Sequence, residues 1–180
     1  MTVAEKWKNS SPVAQFLAKF IALMLLWKFI YAFALKENGA TDQFVTKYVA
    51  LFSLSILNEI GYPMTSQINE IGMYYFYMYG KCQLQIAHSC NGLILFVLYV
   101  AFLVSFKGDW LLKILVSIVG CLGIYLINVG RVVALMLIHV HYPQYLNFSH
   151  HWLFSALVYG FVFSLWLLWI NKLSQIKWVK

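Results

Sequence analysis

The chain has 180 residues, of which 62% are hydrophobic and only 11% are charged, and its mean hydropathy is +0.74. Soluble domains average about half apolar and a quarter charged residues, so this composition excludes a soluble protein and indicates an integral membrane protein. The formal charge of +7 comes from lysines scattered near helix ends, without the basic stripe that binds nucleic acid. The length allows roughly four to six spanning helices and leaves no room for a separate soluble catalytic module.

The apolar runs predict an all-α polytopic helical bundle of about four to five spans in a single domain, 1–180. A first span is predicted over 13–35. The next apolar run, 44–57, is short for a span and carries Lys47, which favours an interfacial or re-entrant helix. Residues 73–87 place aromatic and β-branched residues around a Tyr-Gly-Lys turn, and this pattern predicts a short β-hairpin outside the bilayer.

The second half of the chain predicts three further spans. Two of them, over 91–106 and 110–128, are joined by a tight polar turn and therefore form an antiparallel hairpin. The apolar run continues past residue 128, and the sequence leaves open whether it prolongs the third span or folds over as a short helix. A polar loop is predicted over 143–149, before a last span over 152–170.

The distribution of basic residues indicates the orientation of the helices. The N-terminal lead, the turn at 107–113 and the C-terminal tail carry lysines and share one side, which the positive-inside rule makes cytoplasmic, so both termini are expected there. The opposite side is nearly neutral. Five polar residues from three different spans are thereby predicted to meet at the extracytoplasmic face: Cys90, Asn128, Arg131, His150 and His151.

Cys90 is the first candidate for chemistry. It lies at the predicted start of a span, where exposed N–H groups and the helix dipole favour a thiolate, so it is a candidate nucleophile. A lone cysteine is also compatible with simple packing or with a disulfide to Cys82 on the oxidising side. A reversible Cys82–Cys90 pair would make the protein a thiol-disulfide redox protein instead. Cys121 lies in mid-span among small apolar residues and is expected only to pack.

Arg131 is the only arginine in the chain and follows Asn128 by one helical turn. An arginine within or beside the hydrocarbon is costly and therefore usually functional. Its planar fork of donors can hold an oxyanion or a carboxylate, which lysine does less well. The alternative is an interfacial anchor whose long side chain reaches the headgroups.

A pair of histidines, His150 and His151, opens the last predicted span, and imidazole suits a general acid or base near neutral pH. Adjacent helical residues point about 100° apart, so only one of the two is expected to face Cys90. His139 and His141 could add metal ligands, but residues i and i+2 diverge on a helix and no Glu accompanies them. No metal or cofactor is therefore expected. A channel or assembly subunit, in which these polar side chains only line a cavity, is a non-enzymatic alternative.

The order of these motifs resembles that of the exosortase and archaeosortase group, which are membrane-embedded cysteine transpeptidases of prokaryotes. The family signature is Cys-x-Gly at the start of one span, Asn-x-x-Arg at the end of the next, and His near the start of the last. The matching segments are Cys90-Asn91-Gly92, Asn128-Val129-Gly130-Arg131 and His150-His151. The resemblance covers 86–169. Asn91 stands where the family commonly has Ser, and the short chain resembles the exosortase F-like proteins of Bacteroidetes.

The resemblance implies roles for the residues of this site. Cys90 would be the nucleophile, Arg131 would stabilise the oxyanion or the thiolate, and His151 would move the protons. His151 is favoured over the alternative, His150, because its spacing of 20 residues from Arg131 is closer to the family pattern. Three neighbours are expected to support them: Asn128, which would orient Arg131, Asn91 and Gly92.

The resemblance also implies a substrate and a location. Within the single domain, an N-terminal span and interfacial helix over 13–62, to which the resemblance does not extend, are expected before a catalytic core over about 86–170. The substrates would be secreted proteins that end in a short motif, a transmembrane helix and a basic tail, and the chain would cleave them through a Cys90 thioester. An amine on a lipid or glycan, or water, would then accept the acyl group. The enzyme would lie in a bacterial cytoplasmic (inner) membrane, in contact with the lipid bilayer and with no nucleic-acid partner.

Overall fold

The computed structural model describes residues 10–35 and 39–173. Within these ranges, three helical stretches are long and apolar enough to cross a membrane, and Leu93–Ser105 is a shorter apolar helix. The three stretches are Pro12–Leu35, Trp110–His141 and Pro143–Lys172. The predicted all-α polytopic membrane class is thereby confirmed. The predictions for the N-terminal lead and most of the C-terminal tail fall outside the described residues.

Helix α1, Pro12–Ile30, begins where the sequence provides a start signal. The Ser11 hydroxyl accepts a hydrogen bond from the Ala14 amide at 3.2 Å, and Pro12 occupies the first turn, where no N–H is needed. The helix continues as a π-helical turn over Tyr31–Leu35. Such turns are rare and often accompany functional sites.

Helix α2, Ala40–Glu59, is 20 residues long and starts after Gly39, whose φ of 57° is left-handed. A helix is therefore present where one was predicted over 44–57, but the predicted bounds are too short, and its interfacial or re-entrant character stays a prediction. Its polar ends, 40–43 and 58–59, do not belong to the apolar run that the sequence pattern detects. Asn58 closes the C-terminal end, because its side chain bonds both the amide and the carbonyl of Met64, at 2.8 and 3.3 Å.

A three-stranded antiparallel sheet follows, in the order β1-β2-β3. Its strands are β1, Met64–Ile68, β2, Tyr74–Met78, and β3, Lys81–Ile86. The predicted hairpin over 73–87 is confirmed as β2 and β3, joined at Tyr79 and Gly80, whose φ angles of 51° and 76° suit a tight two-residue turn. The pattern missed β1, because its centre reads Thr-Ser-Gln and lacks an apolar alternation.

The remaining helices are α3, Leu93–Ser105, α4, Trp110–His141, and α5, Phe154–Leu168. Helix α4 runs unbroken for 32 residues, so the segment past residue 128 prolongs the third span and does not fold over. The predicted polar loop over 143–149 is wrong, since a helical run starts at Pro143 and leads into α5 through a π-helical turn, Ser149–Leu153.

Two apolar cores are built along α4. The first packs α2 and the sheet against the C-terminal half of α4, and the second packs α3 and α5 against its N-terminal half. Buried members of the first are Val49, Leu57, Phe76, Ile86, Val132 and Met136; those of the second are Leu95, Tyr99, Leu103, Ile124, Val158 and Trp169. Residues 87–92 and 125–131 connect the two cores, and the candidate site lies at this junction.

The contact between α3 and α4 depends on a glycine. A Cβ at Gly120 would lie 2.2 to 2.3 Å from the buried ring of Tyr99, whose hydroxyl donates to the Val116 carbonyl at 3.1 Å. Gly120→Ala should therefore force the helices apart and destabilise the fold by about 1–3 kcal/mol, the usual cost of overpacking. Thermal unfolding of the purified protein in detergent measures this effect.

Gly130→Ala is the matched control, since a Cβ there meets nothing within 4 Å on the same helix. The control should unfold at or slightly above the wild-type temperature, because alanine favours helix. Equal unfolding temperatures for the two variants would contradict the proposed close approach of α3 and α4.

Candidate active site

Cys90 is carried on a short 3₁₀ turn, His88–Cys90, between β3 and α3. Its amide donates to the Ala87 carbonyl at 2.9 Å. The sequence predicts Cys90 at the start of a helix. In the structure α3 starts at Leu93, so Cys90 precedes the helix by three positions. The cause is Gly92, whose left-handed φ of 82° turns the chain between the 3₁₀ turn and the helix. The part-buried thiol is therefore presented by a turn.

Asn128, 1% exposed on α4, fixes this turn. Its side-chain amide donates to the Cys90 carbonyl at 2.9 Å. A Cβ at Gly92 would lie 3.3 Å from the same Asn128 nitrogen, so both the backbone angle and the close approach require glycine. The sequence suggests that Asn128 orients Arg131, whereas the bond in the structure joins it to the turn that carries the thiol.

Cys90, His150 and Arg131 lie together, although they come from different elements. The Nε2 atom of His150 is 3.9 Å from the Cys90 Sγ atom and 3.4 Å from the Nη2 atom of Arg131. A guanidinium can only donate, so in this contact His150 Nε2 holds a lone pair and its proton is on Nδ1. Nε2 has a single lone pair, so it takes the thiol proton when the thiol replaces Arg131 Nη2 as its hydrogen-bond partner.

Arg131 has a second donor at the site. Its Nε–H is buried and has no hydrogen-bond partner among the described residues. Buried donors are nearly always paired, so an orphaned one requires a ligand or a strained site as its explanation. The atom is therefore available for a group that enters beside Cys90.

The structure brings His150, the alternative in the sequence, to Cys90 and Arg131. His151 is exposed, and its ring lies 4.8 Å, edge to face, from that of His150. The preference for His151 was based on its spacing of 20 residues from Arg131, whereas both histidines lie in the π-helical turn Ser149–Leu153. A π turn closes its hydrogen bonds one residue later, so it changes the direction in which successive side chains point.

The chain matches the family model described as transmembrane exosortase over residues 9–170. It belongs to the transmembrane exosortase family. Comparison with curated proteins and with solved structures gives no match. Family membership supports a general role as a membrane transpeptidase that acts on secreted proteins. The F-like subtype of exosortase stays a prediction.

This exosortase has a second polar group on the α2 side of the Cys90 turn, of which only Asn91 was predicted from the sequence. Asn91, 2% exposed, donates to the Asp42 carboxylate at 3.1 Å and to the Thr46 hydroxyl at 3.3 Å. The Tyr31 hydroxyl donates to the other carboxylate oxygen at 2.8 Å. Asp42 is one of only six acidic residues in the chain. That rarity in an apolar sequence was the signal that could have identified it.

His88 completes this group and has defined hydrogen-bond roles. Its Nε2 atom is 2.7 Å from the Ile71 carbonyl, which can only accept, so Nε2 carries a proton. In the neutral ring Nδ1 then accepts from the Thr46 hydroxyl, at 3.0 Å. Asp42, His88 and Asn91 line a cavity of about 330 Å³ whose aromatic wall includes Tyr31.

The other predicted candidates lie elsewhere in the exosortase. Cys82 is exposed on β3, opposite Tyr77, and Cys121 is part-buried in α4. His141 hydrogen bonds the Tyr62 hydroxyl. His139 has a buried Nδ1 without a partner in the described part of the chain. Among the residues that the structure describes, no three His, Cys, Asp or Glu side chains are grouped to hold a metal ion.

Proposed function

We propose that the protein is a cysteine transpeptidase or endopeptidase that cleaves secreted proteins near their C termini through a thioester on Cys90. The observation that carries the proposal is the contact chain from Cys90 to His150 to Arg131, in a member of the exosortase family. A nucleophile, a base within reach and a fixed cationic donor are the groups that acyl transfer needs.

In the first half of the reaction, His150 Nε2 takes the thiol proton while the Cys90 sulfur attacks the carbonyl carbon of the scissile peptide bond. The C–N bond of the tetrahedral intermediate then breaks. The imidazolium gives its proton to the departing amine, which leaves with the C-terminal tail. The acyl group stays on Cys90 as a thioester.

In the second half, an amine or a water molecule attacks the thioester carbonyl and His150 takes its proton. The C–S bond breaks and the thiolate regains that proton, so the enzyme returns to its starting state. An amine on a lipid or glycan gives transpeptidation, and water gives hydrolysis. The balance between the two depends on how far water is excluded from the site.

Arg131 stabilises the negative oxygen of both tetrahedral intermediates. Its Nη2 atom faces His150, and its orphaned Nε–H is positioned in the same buried region. A donor that is already desolvated and fixed costs no reorganisation when charge develops, and one such donor typically contributes about 10²- to 10³-fold in rate.

The substrate is a secreted protein whose C terminus consists of a short motif, a transmembrane helix and a basic tail. The direction of the helices supports the location of its cleavage. The α3–α4 turn with Lys107, and Lys172 beyond α5, lie at the end of the bundle opposite to Cys90. The positive-inside rule makes that end cytoplasmic, so Cys90 faces the extracytoplasmic side of a bacterial inner membrane.

Arg131→Lys tests the oxyanion role. Lysine keeps the charge but loses the planar paired donors, so turnover should fall by at least about tenfold, equivalent to roughly 1.4 kcal/mol, with expression and insertion unchanged. The assay follows a co-expressed secreted protein that carries the cognate C-terminal signal, by its loss of mass on a gel.

Lys172→Arg is the matched control, since it makes the reverse exchange of cations on an exposed residue at the other end of the bundle. It should process substrate at the wild-type rate. Full activity in Arg131→Lys would show that Arg131 is only a membrane anchor, because an anchor needs nothing more than a long cationic side chain.

A further inference from the structure

We propose that Asp42 is a positioning residue for Cys90, acting through Asn91. The carboxylate anchors the Asn91 side chain to α2 and so holds the Cys90 turn in the place where the thiol meets His150. This inference rests on the proposed function, since it concerns the geometry of the same nucleophile. Asp42 lies on α2, outside the segment that carries the Cys, Arg and His motifs.

The hydrogen bonds of Asn91 fix the orientation of its side-chain amide. Its Nδ2 atom donates to the Asp42 carboxylate at 3.1 Å and lies 3.3 Å from both the Asp42 carbonyl and the Thr46 hydroxyl. Its Oδ1 atom accepts from the Leu93 amide at 2.9 Å, at the first turn of α3. The amide thus ties the start of α3 to the start of α2, and Cys90 is its immediate neighbour in the chain.

The turn is held from two opposite sides. Asn128 on α4 binds the Cys90 carbonyl at 2.9 Å, while the α2 side holds Asn91 and, through Thr46, also His88. His88 is the first residue of the 3₁₀ turn that ends at Cys90, and Asn91 follows it. Two backbone hydrogen bonds close this 3₁₀ turn, from the amides of Cys90 and Asn91, and the left-handed φ of 82° at Gly92 separates it from the regular hydrogen bonds of α3. Side chains from the two flanking helices add the hydrogen bonds that fix the turn.

A carboxylate at 7% exposure is expensive to bury, so its retention needs a reason. Asp42 can accept from several donors at once, and it already accepts from Asn91 and Tyr31. A serine at position 91 would have a shorter side chain than Asn91. Its hydroxyl would offer one hydrogen-bond donor, where the side-chain NH₂ of Asn91 offers two. Asn91 and Asp42 therefore form a matched pair, and the pair can be tested by exchange.

The test uses the three cysteines as internal probes, in the full-length protein purified in detergent. Iodoacetamide labelling of each cysteine is followed by mass spectrometry. Asn91→Asp places two carboxylates face to face, and it should slow labelling of Cys90 at least about tenfold, to the rate of His150→Ala, because both changes separate the thiol from its base. Labelling of Cys82 and Cys121 should be unchanged.

The exchange variant Asp42→Asn with Asn91→Asp restores a donor opposite an acceptor. It should label Cys90 at least about fivefold faster than Asn91→Asp alone and should recover substrate processing in proportion. A purely structural defect would instead expose Cys121 in α4 and would raise its labelling. Glu59→Gln is the control on the same helix, since Glu59 is exposed, and it should behave as wild type.

Two results overturn the inference: wild-type labelling of Cys90 in Asn91→Asp, or an exchange variant as slow as the single one. If Asn91→Asp does not insert, Asp42→Leu removes the carboxylate that Asn91 binds without adding charge, and labelling of Cys90 at the wild-type rate then overturns it as well. Failure of the proposed function has a different signature, because wild-type Cys90 would then label no faster than the exposed Cys82.

Discussion

Cys90→Ala should abolish processing of secreted substrates while leaving the protein folded and inserted in the membrane. The thiol supplies the only bond that links enzyme and acyl group in the proposed reaction, so no other residue can replace it. The residual rate should be at least about 10³-fold below wild type, the order of the loss when a covalent nucleophile is removed. Loss of the tail from a co-expressed substrate, followed on a gel, gives the rate.

The two other cysteines provide the controls. Cys82→Ser and Cys121→Ser should retain activity, since Cys82 is exposed on the sheet and Cys121 lies within α4. A trapped acyl-enzyme, detected as a mass increase on Cys90, should be sensitive to hydroxylamine as thioesters are. Equal loss of activity in Cys82→Ser and Cys90→Ala would instead favour a redox protein that uses both thiols.

His150→Ala should reduce turnover by about 10²- to 10⁴-fold, the usual contribution of a general base, whereas His151→Ala should be mild. The reason is geometric, since the Nε2 atom of His150 is 3.9 Å from the Cys90 sulfur and is kept as an acceptor by Arg131. His151 is exposed, and its ring lies edge to face against that of His150.

The matched variants are His150→Gln and His151→Gln, which keep a polar side chain but provide no base. Both should insert normally, and only the first should lose activity. A severe defect in His151→Gln with an active His150→Gln would return the proton role to His151 and would mean that the turn before α5 rearranges when substrate binds.

Much of the membrane architecture could be predicted from the sequence because apolar runs report directly on burial in lipid. The spans near Pro12–Leu35 and Trp110–His141, and the β2–β3 hairpin, follow from run length and from the turn at Gly80. The Cys, Arg and His motifs lie at the start, the end and the start of three consecutive predicted spans, which also indicated that these residues would share one end of the bundle. The local sequence suffices for these features.

The remaining parts depend on contacts that no local pattern contains. Strand β1 has a polar centre, and it forms because its backbone pairs with the edge of β2 in an antiparallel ladder. Asp42 and Thr46 reach Asn91 across more than 40 residues, so their role appears only when α2 packs beside the Cys90 turn. Which of the two histidines, His150 or His151, faces Cys90 depends on a π-helical turn that the sequence pattern does not reveal.

The short length of α3 has a consequence for the depth at which peptide bonds are cut. Its 13 residues span only about 20 Å, roughly 10 Å less than the hydrocarbon layer. At its far end the Phe106 carbonyl accepts a hydrogen bond from the buried ammonium of Lys113. This hydrophobic mismatch means that the bilayer thins around the protein or that Cys90 lies below the lipid headgroups. In the second geometry the proposed substrate would have to unwind the first turn of its own membrane helix to reach the sulfur. The proposed thioester would then form where water is scarce, and that scarcity would favour an amine over water as the acceptor.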